Sequence, residues 1–529
     1  MKKVFLWLNI IIITITLSCT SDSIYAKGDS DQELRIGLRQ CYEHKESIHV
    51  NNKILNMGYK IDDEYKSEQV FMSDNGFTFM PASNNYLISL DSYETYEDVQ
   101  KQAHILMKQD YDVFPGYASV GVWKIYIPIK NKKETSEILY KLNLDKNVAF
   151  EIVNDNGFRT IMEFSNDIIV MENTYEHVQF LSMDEDNEVS AIDLGQRQYR
   201  GRMEFGRYDE EGITAINIIN LDEYLYGVLP SEIPYTWPME ALKAQAVAAR
   251  NYAVYYKNNN SKYRDKPYIL CDTTSSQAYK GYSVENERTN KAVNETDDKL
   301  ITYQGEVIQA TFFSTSGGHT ENSENVWNGS VPFLKGVPDI YELEPAAEPW
   351  TKEITSVEIK DILAKYDIDI GDITDIIPMD YTESKRVTNL EIIGTTGEHV
   401  IKKETIRSWL GLKSRKFTVV KEDYQPRKMF NVMSAGSYEK VQNIDDMFVV
   451  TGPYSKGKLK IDDDQLIILS KYNIDNIPLI EGKKDTYTFV GQGYGHGVGM
   501  SQSGAKTMAE QGFTYDEILE YYYTGVKIK

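Results

Sequence analysis

Basic residues are in short supply: 57 lysines and arginines face 80 aspartates and glutamates, a formal net charge of −23 over 529 residues. A chain of that sign repels phosphate, which argues against nucleic acid and an anionic membrane surface as partners. Cysteine is scarcer still, with Cys19, Cys41 and Cys271 the full set, too few for a disulfide framework. Long apolar runs are missing too: the run from Val4 to Leu17 is short for a bilayer span. It follows Lys2 and Lys3 and precedes Ile24, Tyr25 and Ala26, which reads as an export signal cleaved after Ala26. Thr16-Leu17-Ser18-Cys19 is an imperfect lipoprotein site, and an uncleaved anchor giving N-terminal membrane association is the alternative. Phosphate-binding glycine motifs are absent in every register. A serine-hydrolase elbow fails narrowly, because Gly499-Met500-Ser501-Gln502-Ser503 lacks the closing glycine. At 41% hydrophobic residues, a chain of this length can bury large cores and form more than one domain.

The stretch SEIPYTWPMEALKAQAVAARNYAVYY, Ser231 to Tyr256, places one carboxylate, Glu232, in an apolar turn directly before a helix. Pro230, Ile233, Pro234, Tyr235 and Trp237 offer that carboxyl little hydration, so it tends to keep its proton, as a general acid must. The bland alternative is a glutamate that caps or salt-bridges the next helix. Pro238 fits a first turn, Met239 to Tyr256 has no interior glycine or proline, and Ala241, Ala244 and Ala248 recur at helical spacing. A buried central helix with a thin face is expected.

Near the C-terminus, Gly491, Gly493, Gly495, Gly497 and Gly499 occupy alternate positions in FVGQGYGHGVGMSQSGA. Period two predicts an extended segment with one bare backbone face, open to a ligand or a neighbouring backbone, and Gln492, Tyr494, His496, Val498 and Met500 on the other. Two short helices should follow, one from near Ser501 or Ser503 to Gly512, the next opened by a Thr514/Glu517 capping box and ended at Gly525. His496 by itself suits an orienting or structural histidine better than a catalytic base.

YLYGVLPSEIPYTWPMEALKAQAVAARNYA, CDTTSSQAYKGY, FFSTSGGHTENSENVWNGSVPFLKGV, IRSWLGLKSRKFTV and GQGYGHGVGMSQSGAKTMAEQGFTYDEILEYYYTGV follow one another in an order that resembles the stage II sporulation protein D and LytB family, from about Ile192 to Val526. The resemblance implies a peptidoglycan lytic transglycosylase acting on glycan strands stripped of stem peptides. Glu232 would be general acid, then general base, and the products would be 1,6-anhydro-N-acetylmuramic ends. It also implies substrate-binding roles at the cleft for Gln277, Tyr279, Ser314, Ser316, His319, Gln492, His496 and Gln502, with turn-forming roles as the alternative. Sporulation members of the family carry histidine and cysteine able to hold zinc where this chain reads CDTTSSQAYK. Here Cys271 stands with Ser275 and Ser276, so no metal and no other cofactor is expected. The LytB side of the family supplies the alternative: a non-catalytic peptidoglycan-binding protein that enhances a cell-wall amidase. Denuded glycan carries lactyl carboxylates, and Lys243 and Arg250, or Arg197, Arg200 and Arg202, are the candidate basic elements.

Residues 85 to 145 read as a β-α-β-β-α unit similar to the SPOR domain, which binds denuded glycan; a generic ferredoxin-like insert is the alternative. The expected architecture is α+β: a mixed multi-strand core around the alanine-rich helix, with the small β-α-β-β-α domain inserted near the N-terminus. The expected boundaries are 1–26 for the signal or anchor, 33–82 for N-terminal strands of the core, 83–146 for the glycan-binding insert and 147–529 for the catalytic region. Export to the cell envelope or beyond, without disulfides, suits a Gram-positive envelope.

Overall fold

In the computed structural model the described residues are 33–61, 64–82, 86–108, 112–129, 132–141, 150–172, 178–208, 212–259, 262–342, 348–421 and 485–529, with short hairpin strands between 430 and 478. The expected export segment lies outside them. No helix among the described residues is long and apolar enough to cross a membrane. The fold is α+β, with mixed sheets and a buried alanine-rich helix.

Two eight-stranded sheets occupy the N-terminal half. One runs in the order Leu270–Cys271, Glu33–Gly37, Thr214–Asn220, Arg202–Gly206, Gln179–Met183, Ile54–Ile61 and Glu64–Met72, with Val189–Ser190 attached to Gln179–Met183. The other runs Ile48–Val50, Phe77–Pro81, Thr160–Phe164, Asp167–Met171, Phe114–Ser119, Val122–Ile129, Tyr86–Tyr93 and Phe150–Asn154. It contains the β-α-β-β-α order: strand Tyr86–Tyr93, helix α1 (Tyr96–Met107), strands Phe114–Ser119 and Val122–Ile129, and helix α2 (Thr135–Lys141). This unit does not stand apart from its flanks. Val170 and Met171 pair in parallel with Gly116 and Tyr117, so the flanking strands cover an edge that a separate domain would leave unpaired. Phe79 joins the two sheets, stacking on Phe205 at 4.0 Å and meeting Phe180 at 4.8 Å.

The helical centre begins with α3 (Leu221–Glu232), whose first turn is capped by Asn220 accepting the Asp222 amide at 3.0 Å. Glu232 is the last residue of this helix, so the turn expected to hold it begins one residue later, at Ile233. Helix α4 (Met239–Asn259) is apolar around most of its circumference because it separates two cores. Leu242, Ala246, Ala249 and Ala253 face the sheets and α3. Ala244, Val247 and Ala248 face Val498, Met500, Ala505, Ile518 and Leu519. Helix α5 (Glu287–Glu295) packs against both α3 and α4.

A third unit follows, which sequence periodicity did not separate from the catalytic region. Strands Trp350–Thr355, Thr486–Gly491 and Phe417–Lys421 form one sheet and Ile373–Tyr381, Val387–Gly394 and Glu398–Lys402 another. With helices α6 (Ser356–Ala364) and α7 (Glu404–Leu410) they enclose their own core of Ile359, Leu363, Leu390, Ile392, Ile406 and Phe489. The chain returns from this unit through Thr486–Gly491 straight into the glycine-rich segment, then into α8 (Gln502–Glu510) and α9 (Tyr515–Tyr522). Ser501 caps α8, and the Thr514/Glu517 capping box opens α9 as expected.

Candidate active site

Helix α3 delivers Glu232 to the mouth of the site, and Ile233, 3% exposed, pins the chain just after it. The wall beyond is the loop through Tyr235 and Trp237, whose carbonyls accept Arg288 Nε and Nη2, each at 3.0 Å. Glu232 Oε1 accepts the Ala278 amide at 2.6 Å. Burial raises the Glu232 pKa above the ordinary carboxylate value; the Ala278 amide, the Gln502 side chain and the charge of Lys280 act against that rise without cancelling it.

Behind the carboxyl lies a layer of amides. Gln502, first residue of α8, donates to Gln245 Oε1 on α4 at 3.4 Å, while Gln245 Nε2 has no hydrogen-bond partner. Gln277 donates to the Ala249 carbonyl at 3.3 Å, and its Oε1 is buried without one. Helix α4 can carry these groups so close to the site because its alanines let α8 approach. Gln277, Gln502 and Glu232 therefore converge. Tyr279 goes elsewhere: its hydroxyl donates to Asn217 at 2.7 Å, and its ring lies 4.9 Å from that of Tyr224 and 5.8 Å from that of Tyr199, inside the core.

Ser316, and Ser314 through Ser503, lie at a second buried carboxylate, Glu342. It accepts the backbone amides of Ser316 and Gly317, the latter at 2.7 Å, and the hydroxyls of Ser501 at 3.4 Å and Ser503 at 3.3 Å. Ser316 is fully buried, and its hydroxyl accepts the Gly318 amide at 2.9 Å. Ser314 lends its carbonyl to the Ser503 amide at 3.1 Å. His319 Nδ1 lies 2.6 Å from the Thr320 carbonyl. Asp339, 1% exposed, takes the Tyr522 hydroxyl at 2.9 Å; burial, then the neighbouring Glu342 charge, pushes its pKa up to about 6. Neither acid was singled out in the sequence reading. FLKGVPDIYELE offers no periodic or motif signal for them, since only the return of the Ser501–Ser503 segment creates their surroundings.

The glycine-rich segment corrects the extended reading. The strand ends at Gly491, and Gly493, Gly495, Gly497 and Gly499 all have positive φ, from 74° to 114°, a backbone that side-chain-bearing residues rarely adopt. The period of two reflects alternating left-handed residues rather than a bare strand face. Close backbone approach does occur: a Cβ at Gly493 would stand 2.9 Å from the Thr315 carbonyl oxygen, and one at Gly497 would stand 2.6 Å from Arg386 Cζ. His496 sits between the rings of Phe313 and Trp327, at 5.6 and 5.2 Å, and its Nδ1 accepts the Val498 amide at 3.0 Å. Burial first, then the charges of Arg407 and Arg386, push its pKa down to about 3, so it is a neutral brace for the loop at physiological pH. Gln492 is held through its backbone, its amide donating to the Lys416 carbonyl at 2.9 Å and its carbonyl accepting the Ser414 hydroxyl at 2.5 Å.

These last contacts come from the third unit, which also supplies Trp350 Nε1 to the Gly493 carbonyl at 2.9 Å, Arg386 Nη2 to the Ser316 carbonyl at 2.8 Å and Lys416 Nζ to the Gly317 carbonyl. Segment 350–421 thus fixes both loops that floor the site.

Each basic residue nominated for anion recognition is paired with an acid. Lys243 lies 3.0 Å from Glu240 and 2.9 Å from Glu295, Arg250 lies 3.1 Å from Asp222, Arg197 lies 3.3 Å from Asp272, Arg200 lies 2.7 Å from Glu285, and Arg202 pairs with Glu33. At the position of the family's zinc ligands, the Cys271 thiol is buried beside the hydroxyls of Tyr263 at 3.1 Å and Thr273 at 3.2 Å. Among the described residues no group of three or more histidine, cysteine, aspartate or glutamate side chains could hold a metal ion.

Comparison with known proteins places the matching regions along the chain. A family model described as stage II sporulation protein matches residues 209–303, which carry Glu232, α4 and Ala278. A domain of unknown function matches residues 344–437, the third unit. The chain is 31% identical to a stage II sporulation protein D of Bacillus subtilis over 59% of this chain and 76% of that protein. It is 32% identical to an amidase enhancer of the same organism over 64% of this chain, but spans only 45% of that relative's length. An uncharacterized protein of Brachyspira hyodysenteriae is 31% identical over 63% of this chain and 72% of its own.

Proposed function

The chain belongs to the stage II sporulation protein D family, and we propose that it is an envelope enzyme that cuts denuded peptidoglycan strands as a lytic transglycosylase. One observation carries this reading. The Glu232 carboxyl, at the mouth of a polar site, is withdrawn from water and holds one backbone donor and the Gln502 amide, so its proton is retained above the ordinary carboxylate range. Such a group can donate near neutral pH.

Glu232 gives its proton to the glycosidic oxygen between N-acetylmuramic acid and N-acetylglucosamine as the C1–O bond breaks, and an oxocarbenium-like centre develops at C1. The carboxylate left behind takes the proton of the same sugar's O6 hydroxyl as O6 bonds to C1. The strand is cut into an N-acetylglucosamine 4-hydroxyl and a 1,6-anhydro end, with no water consumed. One carboxyl serves both steps, so the separate position of Glu342 and Asp339 is compatible with the mechanism. The side chains of Gln277 and Gln502 are placed to hydrogen-bond hydroxyl and acetamido groups. Glycan strands are the partner, and the reaction needs neither metal nor cofactor.

The identity to an amidase enhancer favours a second reading, in which the protein binds glycan and raises the activity of a cell-wall amidase without cutting. Mass spectrometry of purified denuded strands after incubation with the protein separates the two. Anhydro ends support the enzyme, reducing ends mean hydrolysis, and no products with a stimulated amidase favour the enhancer.

A further inference from the structure

A protein with a net charge of −23 that takes a polyanionic strand needs a local cation to offset repulsion. Lys243, Arg250, Arg197, Arg200 and Arg202, the cations nominated for that role, are paired with acids, and Arg288 is taken up by the Tyr235 and Trp237 carbonyls. Lys280 is different. It is exposed, and the carboxyl its charge acts on is that of Glu232.

Its placement follows from the segment that holds the catalytic carboxyl. Burial alternates along Gln277, Ala278, Tyr279 and Lys280, from buried to partly buried to buried to exposed. Gln277 and Tyr279 are anchored inward by Ala249 and Asn217. Ala278 therefore lies beside Glu232, its amide 2.6 Å from Oε1, and Lys280, two residues on, projects to the open side of the same wall. The ammonium is close enough for its charge to act on the Glu232 carboxyl. It stays exposed, with a long stem free to reach a ligand.

We propose that Lys280 binds the free lactyl carboxylate of the N-acetylmuramic residue whose C1 faces Glu232, making it a specificity residue for strands stripped of stem peptides. This inference rests on the glycan-cleaving reading. The lactyl ether hangs from C3 of the ring whose C1–O bond breaks as Glu232 protonates the glycosidic oxygen, so a cation beside the acid meets that substituent. In a strand that still carries peptide the same carboxyl is an amide, which offers no charge to the ammonium and adds bulk at the mouth of the site.

The test uses the full chain carrying Glu232→Gln, which keeps the substrate whole. Calorimetry compares a denuded tetrasaccharide with the same oligosaccharide in which each lactyl carboxylate has been converted to its methylamide. The free acid should bind roughly three- to ten-fold tighter, as expected of a partly exposed charge-assisted pair, and the ratio should shrink as salt rises. Adding Lys280→Gln should bring the ratio towards one, while Lys280→Arg should restore most of it. Equal binding of the two probes, a ratio unmoved by Lys280→Gln, or binding of neither would overturn the proposal. The cleavage reading is judged apart from this, by anhydro ends from the wild-type protein. Cleavage without carboxylate discrimination sinks only the role of Lys280; discrimination without cleavage sinks only the enzyme.

Discussion

Glu232 and Glu342 are the same side chain, held on either side of the start of α8, and their surroundings differ. Glu342, 8% exposed, accepts from two backbone amides and two serine hydroxyls, a donor set that ties the Ser314–Gly318 loop to the start of α8. Glu232 has one backbone amide and one side-chain amide, and burial raises its proton affinity. The two sites meet across α8, where Ser501 and Ser503 face Glu342 while Gln502 between them serves Glu232. The number of donors turned towards each carboxylate separates a tie between loops from a candidate acid.

The largest effect should come from Glu232→Gln, which keeps shape but removes the transferable proton. Release of anhydro ends should fall by about 10²–10⁴-fold, with the melting temperature nearly unchanged. Retention of full cleavage would place the acid elsewhere and break the comparison at once.

Glu342→Ala should act in the opposite sense, on stability first. Four donors would lose a buried acceptor, costing about 2–4 kcal/mol in denaturant unfolding. Glu342→Gln should cost less, since one carbonyl oxygen remains. An unfolding free energy unaltered by either change would mean that Glu342 does not hold these loops.

Asp339 sharpens the contrast, because burial and its charged neighbour hold its proton to about pH 6. An unfolded aspartate releases its proton near 3.9, at roughly its reference value. Between those values the folded state binds more protons than the unfolded one, so stability falls as pH rises from about 4 to 6. In the Asp339→Asn variant that decline, on the order of 1–3 kcal/mol, should disappear from the pH dependence of unfolding. A wild-type profile flat over this window would contradict the placement of Asp339 beside Glu342.

The smallest expected change is that of Gln502→Leu. Removing a donor to the Glu232 carboxylate should raise that group's pKa further and move the alkaline limb of the kcat/KM profile upward. A downward shift would show that Gln502 stabilises the protonated form instead.

Much of this chain was legible before any coordinates. The α+β class, the span of α4, the capping of α8 and α9, and the apolar setting of Glu232 all come from local causes: helix periodicity, the proline before Met239, a Thr-x-x-Glu box, and neighbours unable to hydrate a charge. The glycine-rich segment misled because a spacing of two is shared by strands and by alternating left-handed residues; only the backbone of residues 311–316 lying against it decides between them. Tyr279 misled for a similar reason, since a motif position does not say which way a ring turns.

By itself the sequence determined that α4, α8 and α9 form and where each begins, because a helix start depends on residues within a turn or two of one another. Tertiary structure alone decided what surrounds the Glu232 carboxyl. Ala278 lies 46 residues from Glu232 and Gln502 lies 270, while Glu342 meets Ser501 across 159. It also decided which cations remain available. Salt bridges between distant strands and helices engage Arg197, Arg200, Arg202, Lys243 and Arg250, whereas Lys280 stays exposed. Pairing of that kind depends on three-dimensional neighbours that no local pattern encodes.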